Sequence, residues 1–151
     1  KKTTVEADIV VLETNIDDMQ GEAYSYLMDS LFSVGALDVY YTPIFMKKNR
    51  PAVMVRVLIP EHLVERAEEV LFRETTTLGV RRYPVGRTML EREYGTVTTP
   101  WGECRIKRGY YKGELIKQAP EYEDVKAMAL RCHKPFLELY QTIQKLADCS
   151  E

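Results

Sequence analysis

Four short clusters in this 151-residue chain carry residue types that could do chemistry. The first is Asn15-Ile16-Asp17-Asp18, at the end of an apolar run. Its oxygen donors suit a hard divalent cation such as Mg²⁺ or Mn²⁺. The same carboxylates also suit the cap and first turn of a helix. The second is Lys47-Lys48-Asn49-Arg50. An arginine fork and two lysine point charges could hold a triphosphate, or simply solvate a hairpin turn. The third runs from Glu74 through Thr75-Thr76-Thr77-Leu78-Gly79-Val80 to Arg81-Arg82. It reads either as an anion nest or as a helix C-terminus with a glycine cap. The fourth, Pro120-Glu121-Tyr122-Glu123-Asp124, could bind a metal or a ribose, or complement the dipole of the helix after it. Cys132-His133 has the donor types nickel accepts. Cys132, however, falls on an apolar stripe and is expected buried, and His133 is expected in a loop, so neither is taken as a ligand. No Walker A or GxGxxG loop is present, so any nucleotide would be held without those cradles.

The whole composition narrows the class. Lys and Arg number 21 against 23 Asp and Glu, a net charge of −2, which argues against a footprint for duplex nucleic acid. Hydrophobic residues at 45% are enough for a packed core. The three cysteines form no CxxC pair, and a reduced, cytoplasmic setting is the simpler expectation. No apolar run reaches the roughly 18 residues of a membrane span. The chain opens on Lys1-Lys2-Thr3 and reads as a piece of a longer protein.

Elements that position these clusters follow from periodicity. Ile9 to Leu12 reads as a strand, and Gly21 to Val34 as a helix capped by Asp17 or Asp18 and ended by Gly35. Asp38–Met46 and Ala52–Ile59 form a hairpin with a cationic tip, with Pro43 marking an edge position or a bulge. A helix from Pro60 to about Glu74 and a strand over 80–85 complete strand–helix–strand–strand–helix–strand. That order predicts an α+β, ferredoxin-like βαββαβ plait over residues 8–93. Residues 94–151 are expected to form a small subdomain, an antiparallel strand meander followed by C-terminal helices. Its short strands are expected over 89–94, 96–99, 103–107 and 114–117, and Trp101 in a packed turn. In the last helix Leu139, Ile143 and Leu146 are expected inward.

Taken together, these segments resemble the nickel-insertion protein family of lactate racemase maturation (LarC), in its C-terminal domain. The resemblance rests on Glu13-Thr14-Asn15-Ile16-Asp17-Asp18-Met19, Gly35-Ala36-Leu37-Asp38-Val39 and 43–51 through Lys47-Lys48-Asn49-Arg50. Glu74-Thr75-Thr76-Thr77-Leu78-Gly79-Val80-Arg81, Arg87 and 120–124 complete it. Gln20-Gly21 stands where the family commonly has Thr-Pro, and Ala52 where it commonly has Gly. The resemblance implies insertion of nickel, as substrate, into pyridinium-3,5-bisthiocarboxylate mononucleotide at the expense of CTP, with Mn²⁺ or Mg²⁺. This part would bind the metal–CTP complex and form a homo-oligomer. Under that reading Lys47, Lys48, Arg50 and Arg81 meet the triphosphate, and Asn15, Thr75 and Thr77 meet the base or ribose. Asp17, Asp18, Glu121, Glu123 and Asp124 are then the candidate metal ligands. The alternative is a non-catalytic plait module that senses a ligand or only oligomerises.

Overall fold

The computed structural model describes residues 4–149, with side chains from Asp8 onward. The chain divides into two compact units, one over Glu6–Arg87 and one beginning at Thr88.

The first unit contains β1 (Thr4–Ile16), α1 (Gly21–Ser33), β2 (Asp38–Met46), β3 (Arg50–Pro60), α2 (Val64–Glu74) and β4 (Arg81–Met89). Its sheet has the order β2-β3-β1-β4, with β3 antiparallel to both β1 and β2. This is the expected ferredoxin-like plait. Pro43 is tolerated because β2 is an edge strand. One sheet face is apolar: Leu12 and Ile16 of β1 join Val55, Val57 and Ile59 of β3. Leu27 and Leu31 of α1 and Ala67 and Leu71 of α2 pack onto them. These aliphatic stripes recur at the helical period, so the helices bury one face each.

Several local expectations are corrected. β1 continues to Ile16, so Glu13 to Ile16 lie within the strand. The N-cap of α1 is Gln20, without a side-chain cap bond, and neither Asp17 nor Asp18 serves. The second helix is preceded by a 3₁₀ turn over Glu61–Leu63. α2 ends at Glu74, with Thr75 as its C-cap, so Gly79 is no helix cap. The hairpin tip is a 3₁₀ turn, Lys47–Asn49, with Lys48 and Asn49 at φ 63° and 58°. Positive φ at two polar residues is the usual cost of so tight a reversal.

The second unit holds β5 (Glu91–Thr99), β6 (Gly102–Tyr111), β7 (Glu114–Pro120), α3 (Tyr122–Cys132) and α4 (Phe136–Cys149). Its sheet is an antiparallel β5-β6-β7 meander. β5 is one strand, not two, because Gly95 stays paired with Ile106 instead of turning. A Cβ at Gly95 would fall 2.3 Å from the Arg108 guanidinium that packs there. Cys104 and Ile106 face Val125, Met128, Leu139, Ile143 and Ala147 in the core. Ala147 takes the inward place expected of Leu146, and Cys132 is half-buried rather than buried. Trp101 packs against this core, and His133 is a left-handed residue closing α3. Among the described residues no helix is long and apolar enough to cross a membrane.

Gly35 ends α1 at φ 104°, and a Cβ there would meet Leu63 Cδ1 at 2.5 Å. Gly35→Ala is therefore expected to destabilise the chain by about 1–3 kcal/mol, read as a lowered urea midpoint with unchanged slope.

Candidate anion site at the head of the plait sheet

The plait order brings three of the four clusters to one end of the sheet. β1 ends there, the β2–β3 hairpin turns there, and β4 starts there. The side chains meet accordingly. Arg50 Nε lies 3.7 Å from Asp17 Oδ2. Arg81 Nη2 donates to Asn15 Oδ1 at 3.1 Å. The Thr76 hydroxyl donates to Asp18. Burial, then the charges of Asp18 and Asp17, push the Tyr24 phenol above its ordinary value. Lys47 and Lys48 are exposed at the tip and pair with no other described residue.

The loop from Thr75 to Gly79 is shaped by its own hydroxyls. Thr75 Oγ1 donates to Leu71 O at 2.6 Å and accepts the Thr77 N–H at 3.2 Å. The Thr77 and Thr14 hydroxyls touch, and they share the Gly79 carbonyl at 2.9 and 3.0 Å. Thr14 is thus a buried polar residue on the helix side of β1 with its hydrogen bonds made. Thr75 and Thr77 first hold the loop, while Thr76 reaches the acidic pair.

On the open face of the sheet Arg81 joins Glu13, Arg56 and Tyr40, to which the sequence patterns assign no role. Glu13 is only 7% exposed. Arg56, opposite it in register, donates Nε–H to Glu13 Oε2 at 2.6 Å, with Nη2 also in contact. Arg81 Nε stands 3.6 Å from Glu13 Oε1. Arg56 also lies over the Tyr40 ring, 5.7 Å from its centroid. The signal was present as a charged residue, Glu13, inside an alternating strand, directly across from an arginine in the next strand but one.

The fourth cluster belongs to the second unit. Glu121 is the N-cap of α3 and its N–H donates to Arg105 O at 2.8 Å. Asp124 accepts from Arg105 Nε and Nη2, both at 3.0 Å, and from its backbone N–H at 2.9 Å. Arg105 holds the Asp124 carboxyl below its ordinary value, against a smaller opposing effect of burial. Glu123 is exposed in the first turn of α3.

Residues 1–140 match the family described as nickel insertion protein. The chain belongs to that family. The nickel insertion family includes a protein of Geobacillus kaustophilus, named pyridinium-3,5-bisthiocarboxylic acid mononucleotide nickel insertion protein. It is 50% identical over 135 residues, covering 89% of this chain and 33% of that protein. A Clostridium acetobutylicum protein of the same name is 47% identical over 135 residues, 89% of this chain and 32% of its own. The chain thus spans about a third of the length of these relatives. The solved C-terminal domain of a cyclometallase involved in the synthesis of the NPN cofactor of lactate racemase superposes with a TM-score of 0.89. It is 38% identical and covers 96% of this chain and 99% of that one. A Methanopyrus kandleri protein at 21% identity and TM-score 0.71, covering 92% and 86%, shares the fold.

Could these family residues hold a divalent cation? Among the described residues no three His, Cys, Asp or Glu side chains gather as a metal site. Asp17 and Asp18 offer two carboxylates only. That donor set fits an ion whose remaining ligands are phosphate oxygens and water, the usual habit of Mg²⁺ with nucleotides.

Burial raises the Glu13 pKa, but hydrogen bonds from Arg56 and Tyr83 and the charges of Arg56 and Arg81 outweigh it. The net value lies below the ordinary 4.5. Stability from this carboxylate is therefore full above that ordinary value and lost as pH falls through the lowered one. The stability gap between wild type and Glu13→Gln should be flat near neutrality and shrink in the acid limb, measured by urea unfolding from pH 7 downward. A gap independent of pH would refute the linkage.

Proposed function

We propose that this chain is the nucleotide-handling part of a nickel insertion protein. It binds a divalent metal–CTP complex at the head of the plait sheet and assembles into a homo-oligomer. The whole protein would insert nickel into pyridinium-3,5-bisthiocarboxylate mononucleotide, as its relatives' names describe. The observation that carries this reading is the convergence of Lys47, Lys48, Arg50 and Arg81 with Asp17 and Asp18 at one end of one sheet.

Both signs of charge are needed for a metal–triphosphate. The Arg50–Asp17 contact is long and exposed, worth about 0–1 kcal/mol. It can be exchanged at little cost, the guanidinium turning to phosphate and the carboxylate to the metal. The lysines add point charge, and Arg50 and Arg81 supply forks. The metal, when bound with the nucleotide, would neutralise charge on its phosphates. Asn15 and the Thr75–Thr77 loop border the same end and would meet the sugar and base. Glu121, Glu123 and Asp124 are kept as further candidate ligands, although Asp124 already has a cation in Arg105.

Assembly is supported at the same end by exposed apolar side chains. Leu78, inside the threonine loop, is fully exposed at 100%, and Phe45, before the tip, is 77% exposed. Exposed apolar side chains of this size are what an interface between copies would cover. A plait module that only senses a ligand would bind nucleotide without supporting nickel insertion.

Calorimetry with CTP and Mn²⁺ is expected to show binding that requires both. Lys48→Glu should weaken it by about tenfold or more, with a shallower salt dependence. No binding at millimolar CTP by the folded chain would sink the proposal. Independently, Leu78→Glu should lower the mass found by sedimentation from that of the oligomer toward that of one chain. An unchanged mass would remove that loop from the interface.

A further inference from the structure

The buried acid Glu13 is the one feature at this end that the metal–nucleotide reading leaves without a role. A carboxylate this enclosed is retained only if its charge is met. Arg56 meets it most closely, through Nε at 2.6 Å and a second contact from Nη2. Arg56 is itself fixed from the other side by Tyr40, whose hydroxyl accepts from Nη1 at 3.3 Å. The row Tyr40–Arg56–Glu13 therefore crosses β2, β3 and β1.

Arg81 is the second cation on Glu13, and charge balance does not require it. One carboxylate against two guanidiniums leaves a positive charge, and it sits on the more exposed partner, Arg81. What Glu13 supplies to Arg81 is direction. Its Oε1 lies 3.6 Å from Nε, while Asn15 accepts from Nη2 at 3.1 Å. One edge of the guanidinium is occupied by protein, and its remaining N–H groups stay available to an anion.

We propose that Glu13 is a positioning residue: through Arg81, held between Glu13 and Asn15, it presets a fork for the nucleotide's phosphates. This rests on the metal–nucleotide reading above. Ordering a long side chain before the ligand arrives removes that cost from binding.

The test is a double-mutant cycle on CTP–Mn²⁺ affinity, using the chain, Glu13→Gln, Arg81→Gln and the double variant. Glu13→Gln is expected to weaken binding by about tenfold in the wild-type background and by less than about twofold when Arg81 is already replaced. In parallel, the Arg81 Nε–H proton, followed by ¹⁵N NMR without ligand, should lose its protection from exchange in Glu13→Gln. If the glutamine variant does not fold, Glu13→Asp keeps the charge and shortens the reach, and should show the same dependence on Arg81. Wild-type binding with an unaffected Glu13 variant, or losses that simply add, overturns the positioning role alone. A wild type that takes up no nucleotide overturns the reading of the site and this inference with it.

Discussion

The first unit depends on the two-residue alternation of β1. Leu12 and Ile16 point into the core under α1 and α2, and Thr14 between them is satisfied by Thr77 and Gly79. Glu13 and Asn15 point the other way, to Arg56 and Arg81. A slip of one residue would exchange the two sets. It would place a carboxylate and an amide among aliphatic side chains and expose Leu12 and Ile16. Burying one such unpaired polar group costs about 1–3 kcal/mol or more, a large share of a small domain's stability. The pairing that gives the sheet its register is therefore also what aims the polar residues at the charged end.

Plait topology does the rest. With β1 and β2 separated by β3, and β4 placed beside β1, the end of the first strand, the hairpin tip and the loop before β4 fall together. Asp18 and Thr76, 58 positions apart in the chain, become neighbours. The contacts there grade from strong to weak. Glu13–Arg56 is enclosed and short, whereas Arg50–Asp17 is exposed and long. Coulomb attraction differs several-fold between such settings, because water screens the second pair more than the first. The tight pair is a fixture of the sheet, and the loose pair is free to change partners.

Much of this was legible in the sequence. The order of elements and the hairpin with its cationic tip follow from periodicity and local residue chemistry, and of the two readings of Pro43 the sheet order selects the edge position. The clusters were visible too, but each had a bland reading as a cap, a turn or a first-turn charge. One-dimensional pattern cannot show that three of them share a strand end. Capping misled for Asp17 and Asp18, because the strand runs on to Ile16 and leaves the helix entry to Gln20. Gly95 misled as a turn, because its missing side chain makes room for Arg108 rather than bending the chain. The Glu13–Arg56 pair escaped because its partners lie 43 residues apart and only register aligns them. Leu146 and Ala147 exchange roles because a one-residue shift in helical phase changes which side chain faces the core.

The near-neutral charge of the chain conceals how unequal its ends are. At the head of the plait sheet, four cations stand with Asp17 and Asp18, Glu13 being enclosed beside Arg81, and among the described residues no three such side chains form a resident metal site. Under the proposed reading, this deficit of ligands has a thermodynamic consequence. A cation given only two carboxylates takes its remaining ligands from the triphosphate, and the triphosphate gains from the cation the neutralisation that lysines and arginines only partly provide. Each then raises the other's affinity by the same factor, since coupling between two bound species is reciprocal. A site with a complete set of acidic ligands would hold the metal without nucleotide and would lose that dependence. The sparse acidity of Asp17 and Asp18 is thus what would make the metal and the nucleotide arrive, and leave, as one ligand.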